Sequence, residues 1–340
     1  MKTYDLIFIT NLPAFYKVNL YNLIAKKRKI LIIFIGDNST YDRNNDFTIG
    51  EKKFEYYDLR SLSITKKIAK LISVFSRLSY KELILGGIDS IIAWFCAFIL
   101  EKKKNALVVE SSIFESKTDG FKGQLKKLFM KRISKVYASG KYQILLVKKL
   151  NFRGKIIQTN GVGIFNIIPQ PSYVEKDKVQ SFVYVGRLSS EKNLISLIEI
   201  FNKLPNLILN IIGYGPMENI LKSISSFNII FHGAIANKDL PKIYQDNDVF
   251  ILPSLSEPWG LVVEEALNSG LPVIISDKVG CRDTVVREGE NGLIFSLSEP
   301  DSLRKTILKI CDINLYNKFR FNISKYDFSA VAQKQVNCYL

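Results

Sequence analysis

A chain of 340 residues is long enough for two domains of ordinary size, and with 47% apolar residues it can fill a core in each, which excludes a disordered or low-complexity protein. Its 48 Lys and Arg against 32 Asp and Glu leave a net charge of +16, a balance that invites an anionic lipid surface or nucleic acid as partner. Four widely separated cysteines (Cys96, Cys281, Cys311, Cys338) without a C-x-x-C pair, and a single histidine, argue against a zinc site and fit reduced cytosolic thiols.

Strands alternate with helical stretches along the whole chain, the pattern of parallel α/β layers. The first domain is expected over residues 1–168. Residues 4–10 read as its first strand, ending in Asn11-Leu12-Pro13-Ala14-Phe15-Tyr16-Lys17 with no glycine-rich loop. So short an apolar run, closed by Asn and Pro, does not read as a signal sequence. Residues 82–85 form a second apolar strand before Gly86-Gly87, which either lines a cleft or makes a simple turn. The apolar run 91–100 is too short to span a bilayer and is expected as a buried helix. Residues 106–109 read as a strand ending at Glu110. From 121 to 150 the chain holds Lys122, Lys126, Lys127, Lys131, Arg132, Lys135, Lys141, Lys148 and Lys149 and no acidic residue. Leu125, Leu128, Phe129, Ile133 and Val136 are interleaved at helical spacing, which predicts a basic amphipathic segment suited to anionic headgroups.

A polar connector, residues 169–178, leads to the second domain. There Phe182-Val183-Tyr184-Val185-Gly186 reads as a buried strand, followed by Arg187-Leu188-Ser189-Ser190-Glu191-Lys192-Asn193 and a helix over 194–204. A guanidinium and an ammonium placed after a strand suit a phosphate, the first as a bidentate donor and the second as a point charge. Residues 207–212 form the next strand, ending in Gly213-Tyr214-Gly215-Pro216, and 228–233 another, carrying His232 and Gly233. Asp246-Asn247-Asp248 has the D-x-D form of a metal site but directly precedes the strand 249–254, and reads as strand-edge residues. Next comes Ser256-Glu257-Pro258-Trp259-Gly260-Leu261-Val262-Val263-Glu264-Glu265-Ala266, then the strand after Gly270-Leu271-Pro272. A helix starting near Gly260 offers unpaired N–H groups and the positive end of its dipole to a pyrophosphate. Carboxylates at 257 and 265 can accept paired hydrogen bonds from sugar hydroxyls. Val262, Val263, Ala266 and Leu267 form the apolar stripe, and Glu264 and Glu265 lie about equally far from its centre.

The segment from Glu257 to Glu265 resembles the E-x7-E motif of glycosyltransferase family 4 (glycosyltransferase group 1), retaining enzymes of GT-B fold. Val185-Gly186-Arg187-Leu188 with Glu191-Lys192, Gly213-Tyr214-Gly215-Pro216 and Asn291-Gly292-Leu293 are similar to further segments of that family; the resemblance is strong over 182–296 and general elsewhere. It implies two Rossmann-like domains with parallel sheets facing across a cleft: an acceptor domain (1–168), a nucleotide-sugar domain (169–318) and a C-terminal helix (319–340) crossing back. By the same resemblance Glu257 holds the donor sugar, Glu265 the ribose, and Arg187 and Lys192 the diphosphate. Only the family spacing favours Glu265 over Glu264. Gly186, Gly213, Gly215, His232, Gly233, Trp259, Gly260 and Leu261 complete the implied donor site, with His232 beside the base rather than the reacting carbon. Glu110 stands where many relatives carry a cleft-facing His, which makes it a further catalytic candidate. Asn160-Gly161-Val162 matches the turn that closes the first domain. Cys281 replaces the usual glycine and Asp283 the usual glutamate.

The implied activity is transfer of a hexose or N-acetylhexosamine from a UDP- or GDP-sugar to a glycan or polyprenyl-diphosphate-linked acceptor, in bacterial surface polysaccharide synthesis such as O-antigen or capsule. No cofactor and no metal are expected, because cationic side chains and a helix N-terminus face the diphosphate. The expected location is cytoplasmic, peripheral on the inner face of the cell membrane. Two other enzymes share the architecture: a sugar-nucleotide epimerase, which would convert free UDP-sugar without an acceptor, and a phosphorylase, which needs a lysine for pyridoxal phosphate. A basic nucleic-acid-binding protein is the alternative from another class; the chain carries no recognised motif for it.

Overall fold

The computed structural model describes residues 2–36, 45–48 and 50–340. The chain divides into two compact units, Met1–Ile164 with Ala330–Leu340, and Phe165–Ser329.

In the first unit the strands β1 (Lys2–Thr10), β2 (Ile30–Phe34), β3 (Glu55–Asp58), β4 (Leu78–Leu85), β5 (Asn105–Val109), β6 (Lys135–Ala138) and β7 (Lys155–Gln158) form one sheet. Its order among the described residues is β3-β2-β1-β4-β5-β6-β7, and every pairing is parallel. The apolar run Ile30-Leu31-Ile32-Ile33-Phe34 is wholly buried, as a strand covered on both faces must be. Ile7, Ile9, Ile33, Leu83, Leu107 and Val136 meet Cys96, Phe129 and Leu146 from the covering helices in one apolar core. The second unit repeats the plan with β8 (Ser181–Val185), β9 (Ile208–Ile212), β10 (Ile229–Gly233), β11 (Val249–Leu252), β12 (Val273–Ser276) and β13 (Gly292–Phe295). Here the order is β10-β9-β8-β11-β12-β13, again parallel throughout.

Both sheets reverse direction of growth in the middle. The chain leaves β1 toward β2 and later returns to β4 on the other side; likewise it leaves β8 toward β9 and returns to β11. At such a point the loops after the two central strands part, opening a crevice at the carboxyl ends of the strands.

Several expectations change. The segment 121–150 is not one amphipathic helix but a helix (Gly120–Met130), the strand β6 and a second helix (Lys141–Lys149). Ser134 and Ser139–Gly140 interrupt it, and Ile133 and Val136 turn into the core. Arg132 is also no free surface cation, since its guanidinium donates to the carbonyls of Ala97 (3.0 Å), Phe98 (3.2 Å) and Leu100 (3.2 Å). The run 91–100 does form a helix, Ile91–Ile99, but only one face is buried, by Ile92, Ala93, Cys96 and Ala97; Ile91 and Ile99 are 57% and 66% exposed. No helix among the described residues is long and apolar enough to cross a membrane. The helix after Asn193 stops at Phe201, three residues short of Leu204.

The C-terminal return begins near Ala330 rather than at 319. Helix Ile313–Ile323 spends its apolar face, Tyr316, Phe319 and Ile323, on the second unit, where the Tyr316 hydroxyl donates to the Asp248 carbonyl at 3.1 Å. Only after helix Phe328–Asn337 does Tyr339 stack on Tyr137 of the first unit, with ring centroids 4.5 Å apart. Residues 169–178 carry no helix or strand and belong to the second unit.

Candidate donor site

The loops that part at the β8/β11 switch point carry the residues singled out by sequence. After β8 come Gly186, Arg187 and a 3-10 turn, Ser190–Lys192, ending at Asn193 in the left-handed region (φ 57°) and leading into helix Leu194–Phe201. After β11 come Glu257, Trp259 and Gly260, and helix Leu261–Asn268. A salt bridge spans the gap: Lys192 Nζ lies 2.5 Å from Glu257 Oε2, with side chains only 16% and 14% exposed. The backbone of Leu255 also donates to the Glu191 carbonyl at 2.8 Å. Glu257 is held in turn by the loop after β12, its N–H donating to the Lys278 carbonyl (3.1 Å) and its carbonyl accepting from Gly280 (2.9 Å). The cation and carboxylate are therefore fixed from three strand ends before any ligand arrives.

Gly260, at φ 97°, makes the turn into the helix in a conformation that L-residues with a Cβ rarely adopt, and so presents the helix N-terminus to the same crevice. Within that helix the two glutamates separate. Glu264 is buried, 5% exposed, and accepts a 2.8 Å hydrogen bond from the Trp259 indole N–H; burial pushes its carboxyl up to about 8. Glu265 is half-buried and faces Tyr244, whose hydroxyl donates to it at 3.4 Å; burial raises it to about 7. Glu264 is thus engaged inside the turn, and Glu265 is the more exposed of the two carboxylates. A helical wheel could not show this, because Trp259 lies outside the helix.

The glycines after β8 and β9 serve contact between those loops. A Cβ on Gly213 would sit 1.9 Å from the Gly186 carbonyl oxygen, and one on Gly215 would sit 2.5 Å from that of Leu188. Arg187 is half-buried, and its carbonyl accepts from the Tyr184 hydroxyl at 2.7 Å. His232 stands apart on the edge strand β10, exposed and bonded to Asn210 Oδ1 at 2.7 Å. Asp248 is consumed structurally: its carboxylate pairs with Lys176 and accepts from the Gln180 and Ser181 N–H groups, both at 2.9 Å. These partners outweigh burial and hold it below the usual carboxylate range. Cys281 is fully buried with its thiol toward the Gly260 carbonyl, 3.8 Å away, so the departure from glycine packs under the helix start. Asp283 lies 3.5 Å from the Arg282 guanidinium.

The first unit has its own crevice. Asn11, Gly86, Ser90 and Glu110, from the carboxyl ends of β1, β4 and β5, line a cavity of about 160 Å³. Glu110 forms an ion pair with Lys17 at 2.9 Å. Burial alone would lower the Lys17 pKa, but Glu110 and the neighbouring tyrosines raise it overall, so the lysine stays charged. Sequence reasoning missed Lys17, which sits in the first turn of helix Phe15–Ala25 and carries no motif.

Residues 169–327 match the model of the family described as glycosyl transferases group 1. This stretch is a group 1 glycosyltransferase domain. Over 117 residues the chain is 38% identical to a sulfoquinovosyl transferase of Arabidopsis thaliana, covering 34% of the chain and 23% of that protein. Over 152 residues it is 30% identical to the Escherichia coli UDP-Gal:alpha-D-GlcNAc-diphosphoundecaprenol alpha-1,3-galactosyltransferase, covering 41% of the chain and 39% of that protein. The matched stretch spans less than half the length of either relative. An Anabaena protein solved in complex with UDP superposes with a TM-score of 0.71 at 16% identity, over 97% of both chains. Two parallel α/β sheets, of seven and six strands among the described residues, in that likeness make the architecture the GT-B fold. The Lys192–Glu257 bridge and the Gly260 helix start both lie inside the group 1 domain.

Proposed function

We propose that this protein is a retaining glycosyltransferase that moves a hexose or N-acetylhexosamine from a UDP- or GDP-sugar to a hydroxyl of a lipid-linked glycan at an anionic membrane. The observation that carries the reading is the Lys192–Glu257 bridge across the β8/β11 switch point, beside the N-terminus of helix Leu261–Asn268. A cation for the diphosphate, a carboxylate for sugar hydroxyls and a helix dipole converge where a parallel α/β sheet takes its ligand. The Escherichia coli relative, whose name gives a UDP-sugar donor and a diphosphoundecaprenol acceptor, supports the donor and acceptor classes.

In this reading Arg187, Lys192 and the helix N-terminus hold the diphosphate, Glu257 the sugar and Glu265 the ribose. The acceptor oxygen attacks the anomeric carbon on the face from which the diphosphate departs. The bond to the leaving oxygen breaks through an oxocarbenium-like state, and the diphosphate takes the acceptor proton. The same cationic groups stabilise the charge that develops on it. Glu110, held by Lys17 in the first unit, is a further catalytic candidate. Thermal shift against UDP, GDP and their sugars tests the reading, because a ligand bound only by the folded state raises the melting temperature. Stabilisation by one nucleotide class, lost in Arg187→Ala and Lys192→Ala, is expected; no shift with any of them overturns it.

A further inference from the structure

We propose that an open groove at the amino-terminal edge of the first sheet docks the phosphate headgroups of an anionic lipid surface. The inference rests on the membrane part of the function proposed above and gives it a place. The groove, about 780 Å³, is lined by Lys102, Lys127, Lys131 and Arg153 over walls that include Leu128 and Phe152, and no Asp or Glu lines it. Lys102 lies just before β5, Lys131 before β6 and Arg153 before β7, so the groove is at the opposite strand ends from the Glu110 cavity.

Two bland explanations fail on charge. Three cations nearby are paired, Lys104 with Glu101 (2.8 Å), Lys149 with Asp119 (3.3 Å) and Lys135 with Glu82, whereas none of the four in the groove is in an ion pair among the described residues. The helices Gly120–Met130 and Lys141–Lys149 both end here, and cations complement helix C-termini. Each such end carries only about half a negative charge, so four cations exceed what two ends require.

The rim decides the class of partner. Phe121, Leu125 and Leu128 follow one face of helix Gly120–Met130 and are 79%, 38% and 44% exposed. Phe98 and Ile99, 40% and 66% exposed, adjoin at the helix end whose carbonyls hold Arg132. Aliphatic and aromatic side chains beside unpaired cations suit a headgroup–acyl boundary, and each cation near such a surface strengthens binding roughly fivefold.

The test is sedimentation of the full chain with phosphatidylcholine vesicles, with and without phosphatidylglycerol. The groove variant combines Lys102→Gln, Lys127→Gln, Lys131→Gln and Arg153→Gln, and a charge-matched control neutralises the exposed Lys203, Arg304, Lys305 and Lys318 of the second unit. Wild type and control should bind the phosphatidylglycerol vesicles, and the groove variant on the order of 600-fold more weakly, about fivefold for each of its four charges. Its UDP-induced thermal shift should be unchanged, which verifies folding and keeps the donor reading separate. Equal loss in the control would show attraction by net charge alone and overturn the groove. So would full binding by the groove variant, although the membrane reading would then survive. Tighter groove-dependent binding of a single-stranded RNA oligomer than of vesicles would overturn the lipid assignment.

Discussion

The Lys192–Glu257 pair makes the sharpest demand at the scale of single residues. Each side chain is mostly buried, so removing one strands the other charge in a poorly solvated crevice. Lys192→Ala and Glu257→Gln should each lower stability by about 1–3 kcal/mol, and the double variant by clearly less than their sum, in urea melts. Additive losses would mean that the bridge does not persist in solution. The helix carboxylates give a pH signature. Both bind their proton more tightly when folded, up to about 8 for Glu264 and about 7 for Glu265, against an ordinary value of 4.5. The folded state therefore holds more protons than the unfolded one in that window. Stability contributed by the protonated forms should fall as pH rises from about 5 to 8, by up to about 1.4 kcal/mol per pH unit and group. Glu264→Gln should flatten the decline in melting temperature while leaving UDP affinity near wild type, and Glu265→Gln should weaken UDP binding. The reverse pattern would place the ribose contact on Glu264. Sequence spacing favoured Glu265 only by resemblance; the indole N–H that engages Glu264 reaches it from outside the helix, depends on the turn at Gly260 and so was hidden from a periodicity argument.

Elements were far more legible than their pairings. A run such as Phe182–Val185 announces a buried parallel strand, because both faces must be apolar, whereas the equally apolar Ile30–Phe34 went unread. The amphipathic reading of 121–150 failed for the same reason that it attracted notice: helix, strand and helix of an α/β unit each turn apolar residues inward, and their summed pattern imitates a single helical stripe. Glycine contacts were visible only as motifs. The G-x-G turn suggests a nucleotide, yet Gly213 is first required by the Gly186 carbonyl against which it packs. Gly213→Ala, with a Cβ 1.9 Å from backbone oxygen, must push the loops after β8 and β9 apart. A loss of roughly 1–3 kcal/mol is expected, together with loss of the UDP thermal shift. A variant that melts like wild type and still binds UDP would show that these loops tolerate separation. At the entry to β11, Asp248 is already bonded to Lys176 and two backbone N–H groups, so it has no free oxygen geometry to offer as half of a D-x-D metal site. Transfer activity should therefore survive EDTA; complete loss restored by Mn²⁺ would bring Asp246 and Asp248 back as ligands.

At the scale of the whole molecule, the chain's two units differ in what they are asked to do. Every residue proposed for the diphosphate, ribose and base belongs to the second unit, whereas the last eleven residues belong to the first. Tyr339 secures that tail, stacking on Tyr137 at 4.5 Å and lying 5.8 Å from Phe8. It is buried, and replacing it by Ala removes a large aromatic from the core, at a cost of about 3–5 kcal/mol. Tyr339→Ala should therefore melt earlier by calorimetry and be cut sooner by protease within residues 50–164. Its UDP affinity at a temperature below that first transition should match wild type within about twofold, because the residues proposed for UDP belong to the other unit. The comparison with Lys192→Ala is what makes the experiment decisive. That variant should lose UDP binding with little change in protease sensitivity of the first unit. If Tyr339→Ala instead loses UDP binding as completely as Lys192→Ala while its second unit remains folded, donor binding draws on the first unit, and Glu110 and Lys17 become the residues to test next.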